Sequence, residues 1–199
     1  MIIRKRFNSK RNRVSLIEID NHLYVEKQFN QRNDFMDECK VYSLLANGEF
    51  YLPKFLKKDE NNLTIHLEFI QGITLLDYLE KLESQGTVET ATEWMMKLFS
   101  LFKVLSHHAR CHYSDVNLRN FIVKGDELFL LDFEAIKEGE FIPIAKTLAY
   151  YLLYQPVKTS FKMEVVNQCI CQWTGDIKKD SLENEVWKWV ERIEQRRIK

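Results

Sequence analysis

Residues 113–134 read YSDVNLRNFIVKGDELFLLDFE and form the most informative pattern in the chain. Asp115 and Asn120 stand five positions apart in a polar stretch. Two apolar runs then flank Lys124-Gly125-Asp126, which is a turn signal typical of a β-hairpin. Because a hairpin reverses the chain, we expect it to bring Asp132, at the end of the second run, back beside Asn120.

These three polar side chains suit a specific chemistry. Amide and carboxylate oxygens from Asn120 and Asp132 are ligands that hard cations prefer, and the Asp115 carboxylate remains for a hydroxyl nucleophile. The alternative is that Asp115 and Asn120 only cap a turn, which is how such residues are commonly used. We favour a functional site because the predicted hairpin brings Asp132 close to this loop.

Composition limits the function classes. The 199 residues are 45% apolar and 29% charged, which is typical of a soluble globular protein. Lysine plus arginine and aspartate plus glutamate number 29 each, and this zero net charge disfavours general nucleic-acid binding. No apolar run reaches the ~18 residues of a membrane span, and the N-terminal MIIRKRF lacks a secretory apolar segment. Four irregularly spaced cysteines predict a reduced, cytoplasmic protein.

Period-2 alternation dominates the N-terminal region. It predicts strands at 2–7 and 13–19 around a polar turn, and a third strand in which Leu23, Val25 and Lys27 share one face. An inward lysine is informative, since lysine is seldom buried without a partner.

A helix is predicted next, capped by Asn33 or Asp34 and ending at Ala46, with Glu38 in its first half. Strands at 52–56 and 63–69 follow, and Thr74 with Asp77 marks the start of a short helix. Apart from the hairpin, the remainder has helical periodicity. Strands followed by helices predict an α+β protein of two lobes, 1–70 and 71–199, with a connection at 68–74.

The order of these elements resembles the protein-kinase-like superfamily. There, H-R-D-x-x-x-x-N and D-F-G supply the catalytic aspartate and two magnesium ligands; the matching segments here are YSDVNLRN at 113–120 and DFE at 132–134. A strand lysine, a helix glutamate and LEFIQG at 67–72 occur in the same order. The resemblance covers about two-thirds of the chain. It implies a small antiparallel-sheet N-lobe with one helix and a reduced, mainly helical C-lobe.

The resemblance also implies a role for each matching residue. Lys27 would hold the α- and β-phosphates of ATP, and Glu38 would orient Lys27. Asp115 would accept or position the acceptor hydroxyl. The other implied contacts are adenine binding by Val25, Glu68, Phe69 and Ile70, and Mg²⁺ coordination by Asn120 and Asp132.

Several features are more similar to Rio kinases, aminoglycoside and choline phosphotransferases and lipopolysaccharide core sugar kinases than to regulated protein kinases. Tyr113-Ser114 replaces His-Arg, a glycine-rich loop is absent before Lys27, and only eleven positions separate Lys27 from Glu38. The predicted function is ATP- and Mg²⁺-dependent phosphoryl transfer to a hydroxyl, with protein serine or threonine favoured. Three alternatives remain: a small-molecule (sugar, aminoglycoside or choline-like) kinase, a pseudokinase that binds partners, and an RNA-associated factor using the basic residues at 5–13.

Overall fold

The computed structural model describes residues 1–9, 11–46, 51–114, 116–133, 136–139, 141–175 and 177–198. Among these residues the elements are, in chain order, β1 (Ile2–Phe7), β2 (Arg13–Ile19), β3 (His22–Gln28), α1 (Arg32–Leu45), β4 (Phe55–Asp59), β5 (Thr64–Glu68), β6 (Ile73–Thr74), α2 (Leu75–Gln85), α3 (Val88–His108), β7 (Cys111–Tyr113), the 3₁₀ turn η1 (Leu118–Asn120), β8 (Phe121–Lys124), β9 (Glu127–Leu130), β10 (Ile136–Glu138), α4 (Ile144–Leu152), α5 (Ser160–Gln172) and α6 (Lys179–Ile198).

The chain forms two compact units. The first comprises Met1–Gly72 and Ile122–Glu134, and the second comprises Ile73–Phe121 and Ala135–Lys199. A five-stranded antiparallel sheet occupies the first unit, and six helices are present among the described residues. The predicted α+β class is therefore confirmed. The first unit also includes the segment 122–134, which the predicted lobe 1–70 does not contain. The division into lobes 1–70 and 71–199 stays a prediction.

The sheet of the first unit has the strand order β1-β2-β3-β5-β4. Each neighbouring pair is antiparallel. Directly paired residues lie on the same face of a sheet, so the pairing of Lys27 with Val14 on one side and Ile65 on the other puts these three on one face. Val25, two residues from Lys27, shares that face.

Helix α1 belongs to the same unit, and its start differs from the prediction. It begins at Arg32 with Gln31 at the N-cap and no side-chain cap, so Asn33 or Asp34 as the cap is wrong. The buried positions of α1 are Phe35, Glu38, Tyr42 and Leu45. Because residues three and four apart share a helix face, the buried glutamate lies within an otherwise apolar stripe.

The predicted hairpin is present as β8 and β9. Gly125 in its turn has φ +59°, a left-handed conformation that glycine adopts without a steric cost. Short-range turn chemistry was therefore sufficient to predict this element.

The second unit is built mainly from helices. Thr74 Oγ1 accepts a hydrogen bond of 3.2 Å from the backbone N–H of Asp77, which confirms the predicted start of α2. Helix α3 packs against α5, and α4 packs against α6. Four α3 side chains at helical spacing are buried, namely Trp94, Leu98, Phe102 and Leu105.

Strand boundaries away from the hairpin were predicted less well. The strand expected at 52–56 instead spans Phe55–Asp59, and the three-residue strands β7 and β10, which pair antiparallel, were not predicted. Three residues are too short to show a period of two, and their pairing joins segments about twenty-five positions apart.

Gly72 lies where the chain approaches β8 closely. A Cβ atom there would lie 2.5 Å from the Ile122 Cγ2 atom and 2.5 Å from the Val123 carbonyl oxygen. We therefore expect Gly72→Ala to lower the free energy of unfolding by about 1–3 kcal/mol, since the backbone must shift. Urea unfolding measures this change. Gly125→Asn measures the effect of backbone strain without crowding, because its φ is +59° and a Cβ there meets nothing within 4 Å. Equal stabilities of Gly72→Ala and the parent would contradict the prediction.

The cysteines form no disulfide. Cys39, Cys111, Cys169 and Cys171 are all free thiols, and burial raises the pKa of Cys169 to about 12. A buried thiol of this kind is a weak nucleophile at neutral pH. None of the described helices combines the length and the apolar character needed to cross a bilayer.

Candidate functional site

Three of the predicted site residues meet in the first unit. Lys27 Nζ lies 3.1 Å from Glu38 Oε2 and 3.1 Å from Asp132 Oδ1. Lys27 and Glu38 are buried, with 6% and 1% exposure, whereas the Asp132 side chain is 45% exposed. Lys27 and Asp132 are 105 positions apart in the sequence, so this cluster exists only in the folded chain.

Burial explains why Lys27 needs these partners. An ammonium taken out of water costs several kcal/mol unless it is paired and hydrogen-bonded. Besides the two carboxylates, the ring centroid of Phe29 lies 5.1 Å from Lys27 Nζ, and aromatic faces attract cations. With all three groups ionised, one ammonium and two carboxylates carry a net charge of −1. Of these three side chains, the Asp132 carboxylate is the one that a cation can reach from solvent.

Helix α1 is held in place by aromatic contacts on both sides of Glu38. Phe35 packs edge-on against Phe29, with ring centroids 5.7 Å apart. One turn after Glu38, Tyr42 packs edge-on against Phe133, with centroids 4.4 Å apart. Burial and the nearby Glu38 carboxylate raise the pKa of Tyr42 well above its ordinary value, so its hydroxyl stays neutral. Tyr42, on the same helix as Glu38, therefore packs directly against the residue that follows Asp132.

Asp132 follows β9 in an uncommon conformation. Its φ is +58°, a left-handed value that aspartate tolerates better than most non-glycine residues. The next side chain, Phe133, is 1% exposed. A buried phenylalanine directly after a half-exposed aspartate anchors the backbone at this point, and the carboxylate remains accessible to solvent.

The residues predicted to bind adenine lie on or beside the same strands. Val25 is half-buried and pairs with Leu16 on β2 and Leu67 on β5. The backbone N–H of Glu68 donates to the Lys54 carbonyl at 2.9 Å, and this donor is therefore used within the sheet. The predicted backbone contacts to adenine therefore rest on the Glu68 carbonyl and on Phe69 and Ile70, which follow the end of β5, and they stay a prediction.

The turn before β2 contains no glycine, and the side chain of Asn12 holds it in place. Asn12 is only 5% exposed, and its Oδ1 accepts a hydrogen bond of 3.3 Å from the backbone N–H of Asn30. The Asn30 side chain in turn donates to the Arg11 carbonyl. These contacts fasten the turn to the end of the strand that carries Lys27. Lys10, one of the basic residues at 5–13, lies outside the described residues.

The second unit contains the other half of the predicted motif. Asn120 ends η1, and its backbone N–H donates to the Asn117 carbonyl at 2.9 Å. Asn117 Oδ1 caps the same turn by accepting from the Arg119 N–H at 3.1 Å. Asp115 lies outside the described residues, and the convergence of Asn120 with Asp132 stays a prediction.

Beyond the predicted residues, the described structure offers few further side chains that could coordinate a metal ion. Within the described part of the chain, no group of three or more histidine, cysteine, aspartate or glutamate side chains is arranged to hold a metal ion. The Asp132 carboxylate nevertheless fits Mg²⁺, because it is accessible, supplies hard oxygen donors and belongs to a cluster of net negative charge.

Sequence patterns missed several residues of this site. Tyr42 had a usable signal, since it follows Glu38 by four positions on the same helix face. The pairing of Asn12 with Asn30 and the contact of Tyr42 with Phe133 join distant segments, and no local pattern indicates them.

A scan against protein-family models matched no family, and a search of the curated proteins found no significant match.

Proposed function

We propose that this protein is an ATP- and Mg²⁺-dependent phosphotransferase with a two-lobed protein-kinase-like fold, which transfers the γ-phosphate of ATP to a hydroxyl group. The observation that carries the proposal is the buried ammonium of Lys27, held 3.1 Å from both Glu38 and Asp132. Burying a lysine on the inward face of a strand otherwise lowers the stability of the fold. Its value lies in presenting a fixed positive charge to phosphate oxygens.

The charge balance of the cluster supports a metal-nucleotide ligand. The accessible carboxylate of Asp132, beside the Lys27 ammonium, repels a bare triphosphate and attracts a divalent cation. In the proposal, Asp132 and Asn120 are the residues that would hold Mg²⁺, and the ion would supply charge neutralisation at the transferred phosphate. Glu38 orients Lys27 and Val25 packs against the adenine ring. The Glu68 carbonyl and the backbone groups of Phe69 and Ile70 bind the adenine edge.

In the proposed transfer step, Asp115 serves as the base. The acceptor oxygen forms a bond to the γ-phosphorus, and the bond from that phosphorus to the β–γ bridging oxygen breaks. The acceptor proton passes to the Asp115 carboxylate, and ADP leaves with the bridging oxygen. This chemistry requires positioned charge rather than a covalent intermediate, so few residues suffice.

The acceptor has two candidates. Protein serine or threonine is the favoured candidate. A small-molecule alcohol is supported by a specific observation: α4 begins at Ile144, fourteen positions after β9 ends at Leu130. Within the described part of this interval the only regular element is the short strand β10, which leaves little chain for an extended peptide platform. A pseudokinase is the outcome in which nucleotide binds without turnover.

Nucleotide binding is tested first by thermal unfolding with ATP, with and without Mg²⁺. ATP with Mg²⁺ at a hundred times its dissociation constant is expected to add about 2.7 kcal/mol to the free energy of unfolding. Asp132→Asn keeps the side-chain size but removes the charge, and it should abolish the Mg²⁺-dependent part of this gain. Turnover of γ-labelled ATP across protein, sugar and aminoglycoside acceptors then identifies the acceptor class.

Asp126→Asn is the matched control, since it makes the same chemical change in the turn of the same hairpin. We expect it to keep the full response to ATP and Mg²⁺. No stabilisation of the parent protein by ATP at any Mg²⁺ concentration would refute the proposal. Stabilisation without turnover of any acceptor would support the pseudokinase alternative.

A further inference from the structure

Lys146 occupies an unusual place in the second unit. It is the third residue of α4, close to the helix N-terminus, where the helix dipole disfavours a positive charge. Its side chain is only partly exposed. A lysine in this position requires a compensating interaction.

The ammonium of Lys146 reaches the loop between β7 and η1. Lys146 Nζ donates a hydrogen bond of 2.6 Å to the carbonyl oxygen of Ser114, the residue that immediately precedes Asp115 in the sequence. Charge-assisted hydrogen bonds of this length are among the stronger ones in proteins. The cation is also 5.9 Å from the ring centroid of Tyr150 and 5.6 Å from that of Trp189 on α6.

The same loop has a second tether to this region. At its other end, the Arg119 guanidinium donates to the Tyr154 hydroxyl, two residues beyond the end of α4. Lys146 therefore holds the start of the 114–120 segment, and Arg119 holds its end. Between them lie Asp115 and the capped turn that leads to Asn120.

We propose that Lys146 is a positioning residue that holds the Ser114 carbonyl, next in sequence to the proposed base, in the geometry required for phosphoryl transfer. This inference rests on the proposed function for its catalytic part. The two aromatic rings fix the lysine side chain, so its ammonium fixes the Ser114 carbonyl. Because small displacements of a catalytic group cost large factors in rate, loss of this contact should affect turnover more than nucleotide binding.

The test compares Lys146→Met with Lys146→Arg. We expect Lys146→Met to lower kcat for γ-labelled ATP turnover by about 10- to 100-fold while the Kd for ATP changes less than about threefold. Lys146→Arg keeps a cationic donor and should retain at least about a third of the parent kcat. Lys103→Met is the matched control, since Lys103 lies over the ring of Trp173 at 4.1 Å in the same unit.

Hydrogen exchange gives a readout that does not depend on activity. In Lys146→Met the amides of 116–121 should exchange at least about tenfold faster, with no such change in Lys103→Met. Unchanged exchange, a kcat within threefold of the parent, or an arginine variant as impaired as methionine would overturn the proposal. If the parent protein phosphorylates no acceptor but exchange in Lys146→Met rises as expected, the proposed function is refuted. The contact between Lys146 and the Ser114 carbonyl is then still confirmed.

Discussion

Replacing Lys27 with methionine is expected to lower the free energy of unfolding by about 3–5 kcal/mol. Methionine preserves the length of the side chain but leaves Glu38, which is 1% exposed, without the ammonium at 3.1 Å. Removing one partner from a buried ion pair costs more than the pair itself contributes, since an uncompensated charge stays in the interior. Urea unfolding at neutral pH, monitored by tryptophan fluorescence, measures the change.

A double-mutant cycle assigns this loss to the ion pair. Glu38→Gln removes the carboxylate charge that Lys27 neutralises in the parent. The double variant Lys27→Met with Glu38→Gln should therefore be more stable than Lys27→Met alone, by at least about 1 kcal/mol. Lys57→Met is the control, since Lys57 is an exposed residue of the same sheet and should change stability by less than about 0.5 kcal/mol. Strict additivity of the two core substitutions would show that Lys27 and Glu38 do not depend on each other.

Asp115→Asn is expected to reduce turnover of γ-labelled ATP by about 10²- to 10⁴-fold, while the Kd for ATP stays within about threefold of the parent value. The amide has almost the same shape as the carboxylate but does not accept the proton of an acceptor hydroxyl. Since the nucleotide contacts in the proposal come from other residues, binding should persist. Single-turnover kinetics and a fluorescent nucleotide-displacement assay measure the two quantities separately.

Asp20→Asn serves as the control for this substitution. Asp20 is an exposed residue with φ +49° in the turn between β2 and β3, a conformation that asparagine also adopts readily. It should leave both turnover and binding unchanged. A parallel loss of binding and turnover in Asp115→Asn would mean that this aspartate holds the nucleotide or the fold rather than the acceptor.

Local patterns predicted those features that local interactions determine. Alternation placed Lys27 and Val25 on one strand face, because side chains alternate across a strand. The turn Lys124-Gly125-Asp126 predicted the hairpin, since Gly125 adopts a positive φ without strain. Thr74 and Asp77 marked the start of α2, because their hydrogen bond spans only three positions.

The same patterns misplaced the start of α1 and missed β7 and β10. Asn33 and Asp34 have high N-cap preference, yet the helix begins at Arg32 with no side-chain cap. Asp34 lies instead in the first turn of the helix, where its negative charge is favoured by the helix dipole.

From its order of residues alone, the chain specifies an antiparallel sheet with an inward lysine, a hairpin ending in Asp132 and a succession of helices. Only folding decides that Lys27 bonds to a carboxylate 105 positions away, that Asn12 fastens its turn to Asn30, and that Lys146 holds the Ser114 carbonyl. Local preferences depend on the dihedral angles of a few residues. Contacts between distant residues depend on the packing free energy of the entire unit, which must exceed the entropy lost on closing the intervening chain.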